Sequence, residues 1–196
     1  EITANPEVRL SELNLLGRDE EKTVLVDFND TKSDYEDSAL LHELIETVVA
    51  DRDEDTAVIF GETHMTYGSL NRQANGVARD LIAAGVKPGD TVGVLADRSP
   101  KMITALLGAL KAGATYIPLD PEFPQQRFEM MLVDAAPKAL VASSRLVYSL
   151  PSGDWRVLDL DAIEGTSKAP SSSGLSADSL DFIIYTSGST GTPKGV

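Results

Sequence analysis

The 196-residue sequence contains no cysteine. That excludes disulfides, thiolate metal sites and a cysteine nucleophile, and it fits a reducing cytoplasm. Histidine is scarce, with His42 and His64 far apart, so no protein-held metal centre is expected. Aromatic residues make up 6% of the chain, and Trp155 and the tyrosines form no array on which bases would stack. No apolar run approaches the ~18 residues of a membrane-spanning helix, and no basic-then-apolar leader opens the chain. Positive charge is in deficit: 17 Lys and Arg stand against 31 Asp and Glu, for a net charge of −14. Such acidity argues against nucleic acid as a partner. The expectation is a cytoplasmic protein with neither a nucleic-acid nor a membrane partner.

What is present is an ordinary hydrophobic fraction of 42% and enough length for one domain with a core, plus an appended segment. The acidity is uneven. Residues 1–55 hold 17 acidic and 5 basic side chains, while residues 56–196 hold 14 and 12. Residues 1–37 therefore read as an acidic inter-domain linker carrying short apolar clusters, among them Val24, Leu25, Val26 and Phe28. A helix is expected from Ser38 to Val49, where Leu40, Leu41, Leu44, Ile45 and Val48 recur at helical spacing.

From Thr56 onward strands and helices alternate. Strands are expected at Thr56–Phe60, Thr91–Leu95, Ala114–Pro118, Lys138–Ala142, Arg156–Leu160 and Asp181–Thr186. Helices are expected at Tyr67–Ala84, from Pro100 to about Gly113, and at Gln125–Asp134. Thr66 and Ser99 are suited to cap the first two of these helices, and Gly85 suits the position beyond a helix end. Residues 162–180, rich in Ser, Gly, Ala and Pro, read as a loop. This alternation indicates an α/β fold, a mostly parallel sheet flanked by helices. In such sheets ligands bind beyond the carboxyl ends of strands.

The segment Tyr185-Thr186-Ser187-Gly188-Ser189-Thr190-Gly191-Thr192-Pro193-Lys194-Gly195 falls beyond such an end. Its glycines allow backbone N–H groups to approach a ligand closely. Its three threonines and two serines supply hydroxyls, and Lys194 supplies a point charge. That set suits a polyphosphate. It is not the common phosphate loop, because the fifth residue after Gly188 is Pro193 where Gly-Lys would have to begin. Nor does it contain the G-x-G-x-x-G of dinucleotide-binding folds.

This segment resembles the phosphate-binding signature of the adenylate-forming superfamily, which includes amino-acid-activating adenylation domains, acyl-CoA synthetases and firefly luciferase. Residues 185–195 agree with every fixed position of that signature. Leu110-Lys111-Ala112-Gly113-Ala114-Thr115-Tyr116-Ile117-Pro118-Leu119-Asp120 is similar to a core motif of nonribosomal peptide synthetase adenylation domains. The resemblance continues through Asp120–Arg127 and Met131–Ala135. Met65-Thr66-Tyr67-Gly68-Ser69-Leu70 resembles a further motif, with Ser69 where the family has glutamate. That glutamate would close a capping box with the threonine; serine is too short, at a cost of about 0.5 kcal/mol to the helix start. Asp27-Phe28-Asn29-Asp30-Thr31 and Leu41-His42-Glu43-Leu44 look like the linker between a condensation and an adenylation domain.

The resemblance implies the N-terminal part of the large subdomain of an adenylate-forming enzyme, in residues 38–196, incomplete at its C-terminus. It implies attack of an amino-acid carboxylate on the α-phosphate of Mg-ATP, giving aminoacyl-AMP and pyrophosphate. Transfer to the phosphopantetheine thiol of a downstream carrier domain follows, with a condensation domain upstream. Thr186, Ser187, Gly188, Ser189, Thr190, Gly191, Thr192 and Lys194 are the candidate phosphate contacts. No catalytic or metal-ligating residue is placed on this chain, and no adenylation activity is expected of it alone. Asp97, Asp120 and Arg127 are read as structural. The alternatives are a fragment of an acyl-CoA or aryl-acid ligase, and a non-catalytic platform for a condensation domain.

Overall fold

The computed structural model describes residues 7, 9, 16–34, 39–170, 175–187 and 193–196. The chain divides into two compact units, residues 1–37 and 38–196. In the first unit, helix α1 (Arg18–Leu25) is followed by a short 3-10 turn over Asp27–Asn29. The sequence pattern signals no helix here, because α1 has no buried residue. Charge holds it instead. Asp19, Glu20 and Glu21 occupy the first turn, where the helix dipole favours anions, and the Gly17 N–H donates to the Glu20 carboxylate at 2.8 Å.

The second unit opens with α2 (Leu41–Arg52), three residues later than expected. The Leu40 N–H donates to Glu43 at 3.1 Å and fixes its start. Strands β1 (Thr56–Phe60) and β2 (Thr63–Thr66) form an antiparallel hairpin. Its turn contains Gly61 at φ +57°, a conformation that glycine adopts without steric cost. Strand β2 is not signalled by the sequence: four residues reading Thr-His-Met-Thr show too little alternation. Thr66 ends β2 and caps α3 (Tyr67–Ala83), its hydroxyl accepting from the Ser69 N–H at 3.2 Å. Ser69 does not reach back; its hydroxyl accepts from Gln73 Nε2 at 3.4 Å.

The central sheet contains β3 (Thr91–Leu95), β4 (Thr115–Leu119), β5 (Ala139–Ala142) and β6 (Arg156–Asp159) in the order β4-β3-β5-β6, all parallel. Helix α4 (Pro100–Lys111) joins β3 to β4, and α5 (Gln125–Ala135) joins β4 to β5. Alternate strand residues face opposite sides. Val92, Val94, Ala139 and Val141 pack with Val77 and Leu81 of α3 and Ala105 and Ala109 of α4. Leu95, Ile117, Leu119 and Leu140 pack with Phe128, Met131 and Leu132 of α5. The result is three layers, with α3 and α4 on one face of the sheet and α5 on the other. None of the described helices is long and apolar enough to cross a membrane.

One expected strand is corrected. Residues 181–186 do not extend the parallel sheet. They touch it at a single parallel bridge, Tyr116 to Phe182, with the Tyr116 N–H donating to the Asp181 carbonyl and the Ile183 N–H to the Tyr116 carbonyl, both at 3.0 Å. The chain then leaves the sheet. Strand β7 (Tyr185–Ser187) pairs antiparallel with β8 (Pro193–Gly195), and Ile184 and Val196 extend that pairing with two bonds of 3.0 Å. Backbone groups that would have bonded to β4 are satisfied within this hairpin.

Candidate functional site

The carboxyl ends of β3 and β4 open into a cavity of about 630 Å³. Asp97 and Arg98 follow β3, Asp120 and Phe123 follow β4, and Ile184 and Tyr185 reach it from the base of the hairpin. Asp97 is held by Arg145, whose Nε donates to its carboxylate at 3.0 Å. Asp120 closes a turn, accepting from the Glu122 N–H at 2.9 Å. Ser99 caps α4, accepting from the Met102 N–H at 3.3 Å. All three side chains have structural partners.

Of the candidate phosphate contacts, Thr186 and Ser187 belong to β7, and Lys194 to β8. Thr186 and Lys194 face each other across the hairpin. The Thr186 hydroxyl donates to the Lys194 carbonyl at 3.4 Å, and both residues are exposed. Gly188, Ser189, Thr190, Gly191 and Thr192 lie outside the described residues. The register thus makes Thr186 and Lys194 cross-strand neighbours in the hairpin.

Helix α5 supports the base of this hairpin. The Tyr185 hydroxyl donates to Asp134 Oδ2 at 2.6 Å. Tyr185 is 8% exposed, and burial, reinforced by the Asp134 hydrogen bond, pushes its phenol well above the usual range. Arg127 Nη2 donates to the Tyr185 carbonyl at 3.4 Å, and its guanidinium stacks 4.2 Å above the Phe123 ring. Gly195 lies against Ile183 and Tyr185: a Cβ there would stand 2.9 Å from Ile183 Cγ2 and 3.3 Å from Tyr185 Cζ. In the sequence Asp134 and Tyr185 carry no role beyond membership of their motifs. Their pairing across 51 residues leaves no local pattern to find.

Away from this site, His42 is buried on α2, and its Nε2 has no partner among the described residues. Burial lowers its basicity, with Glu46 opposing and Lys111 assisting that shift. His64 sits in β2. The described residues contain no cluster of three or more His, Cys, Asp or Glu suited to a metal.

A parallel α/β layer thus carries, beyond the carboxyl ends of its strands, a small hairpin that bears Thr186 and Lys194. The sequence matches the family described as AMP-binding enzyme over residues 45–196, and the chain belongs to that family. It is 41% identical over 199 residues to gramicidin S synthase 2 of Brevibacillus brevis, covering 100% of this chain and 4% of that protein. The nonribosomal peptide synthetase FmoA3 superposes with a TM-score of 0.81 at 29% identity, covering 98% of this chain and 20% of that one. NpsA-ThdA of Klebsiella oxytoca, an artificially fused Adenylation-PCP di-domain, superposes with a TM-score of 0.72 at 28% identity, covering 84% and 33%. The chain thus spans 3–5% of the length of the curated relatives it matches.

Proposed function

We propose that these residues are the N-terminal, phosphate-holding part of an amino-acid-activating adenylation domain of a nonribosomal peptide synthetase. In the complete domain an amino-acid carboxylate attacks the α-phosphate of ATP, aminoacyl-AMP forms, and pyrophosphate leaves. The aminoacyl group then passes to the phosphopantetheine thiol of a carrier domain. The observation that carries this reading is the β7–β8 hairpin, which sets Thr186 opposite Lys194 beyond the sheet, within the stretch that matches the AMP-binding family.

The hairpin's task is electrostatic. Negative charge builds on the departing pyrophosphate, and hydrogen-bond donors directed at it stabilise it electrostatically. Thr186, Ser187, Ser189, Thr190 and Thr192 offer hydroxyls, Gly188 and Gly191 offer backbone N–H groups, and Lys194 offers the charge. Each bond to a charged oxygen is worth ~1.5–3 kcal/mol. Magnesium enters with the nucleotide phosphates and neutralises part of their charge. The chain's own residues bind and orient those phosphates, and the amino-acid pocket belongs to other parts of the domain.

The carrier partner is supported by the Adenylation-PCP fusion among the similar structures. A condensation domain upstream and residues 1–37 as the linker to it complete the proposal on the strength of the sequence resemblance, and the lack of cysteine fits a cytoplasmic setting. The test is carboxylate-dependent ATP–pyrophosphate exchange by the complete domain. A single amino acid, or a few, should support exchange. Exchange driven only by fatty or aryl acids would assign the chain to the acyl or aryl ligase branch. Residues 1–196 alone should show no exchange with any acid.

A further inference from the structure

One aromatic ring, that of Tyr185, ties the base of the hairpin to α5. The Tyr185 hydroxyl is anchored on α5 by Asp134 at 2.6 Å. The same ring sits against Gly195, where a Cβ would come within 3.3 Å of Cζ. Gly195 is the neighbour of Lys194, and Tyr185 and Gly195 are also partners in the β7–β8 register. An unbroken set of contacts therefore runs from the Asp134 carboxylate through the Tyr185 ring to the backbone that carries Lys194. Arg127 braces the same point from below, donating to the Tyr185 carbonyl while stacked on Phe123. Asp134 is itself exposed, so the core does not need its side chain for packing.

We propose that Asp134 is a positioning residue which, acting through Tyr185, fixes where Lys194 stands at the phosphate site. This rests on the reading of β7–β8 as a phosphate-binding hairpin. Asp134 accepts one hydrogen bond, touches no substrate, and exchanges no proton in the reaction. Its effect is geometric. With the hydroxyl held, the ring has one position, Gly195 packs on it, and the Lys194 ammonium is delivered to the edge that Thr186 shares. Without that bond the hairpin base is held by Arg127 and the bridge at Phe182.

The test is kinetic and uses the complete adenylation domain. Asp134→Ala should raise the KM for ATP about fivefold, the order expected for one lost hydrogen bond, and leave the KM for the amino acid unchanged. Asp134→Asn keeps an acceptor oxygen and should restore most of the loss. Tyr185→Phe keeps the ring against Gly195, removes only the donor, and should reproduce Asp134→Ala. In a Lys194→Ala background, Asp134→Ala should add nothing, because residues acting through one group are not additive. An unchanged KM for ATP in both Asp134→Ala and Tyr185→Phe overturns the proposal. So does an Asp134→Ala effect of full size in the Lys194→Ala background. If Lys194→Ala alone leaves ATP–pyrophosphate exchange unaltered, the phosphate-site reading falls as well. An effect of Lys194→Ala without one of Asp134→Ala removes only the positioning role.

Discussion

The ammonium of Lys111, on α4 and 1% exposed, is paired with the carboxylate of Glu46 on α2. The pair joins the first helix of the second unit to the helix that leads into β4. Removing one member of a buried pair leaves a charge without its partner. Glu46 keeps about a third of its side-chain exposure, so water compensates part of that loss. Glu46→Ala should lower stability by about 2 kcal/mol, below the ~3–5 kcal/mol of fully buried pairs. Replacing both, with Lys111→Met and Glu46→Leu, should recover most of it. Urea unfolding of the three chains measures this. Equal stability of Glu46→Ala and the parent chain would show the pair to be inert.

Helix α4 meets α3 at a glycine. A Cβ on Gly108 would stand 2.5 Å from Val77 Cβ and 3.0 Å from the Ala74 carbonyl oxygen. Neither neighbour is the free end of a flexible side chain. Gly108→Ala should therefore destabilise by about 1–3 kcal/mol, although alanine is the better helix former by ~1 kcal/mol. Thermal melts of Gly108→Ala beside the parent chain test this. A stabilised Gly108→Ala would mean that the helices separate without penalty.

Helix α5 ends on Ala136 in the left-handed region, at φ +43°. An alanine held there costs about 1–2 kcal/mol that glycine avoids. Against this, glycine has more freedom to lose on folding, by ~0.4–1 kcal/mol. Ala136→Gly should raise stability by a net ~0.5–1 kcal/mol. The readout is the urea midpoint, with an unchanged slope.

His42 gives the stability a pH dependence. Glu43 and Glu46 on its own helix, Lys111 on α4 and Asp181 before the hairpin are the charged groups around it. Burial outweighs the acidic neighbours and lowers its affinity for a proton. The unfolded chain then binds a proton near pH 6.5 that the folded chain refuses, so stability rises with pH across roughly pH 5.5–7.5. Unfolding followed at both ends of that window should show the folded state weaker at the acid end. His42→Leu should flatten the difference, and a His42→Leu chain with the parent's full slope would assign the effect elsewhere.

Much of this fold is legible in the sequence because the main elements are local. Helices α3, α4 and α5 carry apolar faces at helical spacing, and Thr66 and Ser99 cap two of them as their chemistry suggests. Strands β3, β4 and β5 are short, mostly apolar runs between turns. The features that the sequence hides depend on pairing at a distance or on too few residues. Strand β2 exists because β1 is beside it. The stretch 181–186 looks like a sheet strand by composition, yet only Asp181 and Ile183 bond to Tyr116 of β4, and from Ile184 on the backbone pairs with Val196 and β8. Lys194 stands out as the charge in a glycine-rich segment, whereas Asp134 is an ordinary helix carboxylate until the fold brings Tyr185 to it.

On this reading the β7–β8 hairpin holds the nucleotide phosphates. The most direct measurement is amino-acid-dependent ATP–pyrophosphate exchange by the complete domain with Lys194→Ala, beside the unaltered enzyme. Loss of a charged contact of ~1.5–3 kcal/mol should slow exchange at limiting ATP by about 10- to 150-fold. An exchange rate and an ATP affinity equal to those of the unaltered enzyme would mean that Lys194 does not hold the phosphates.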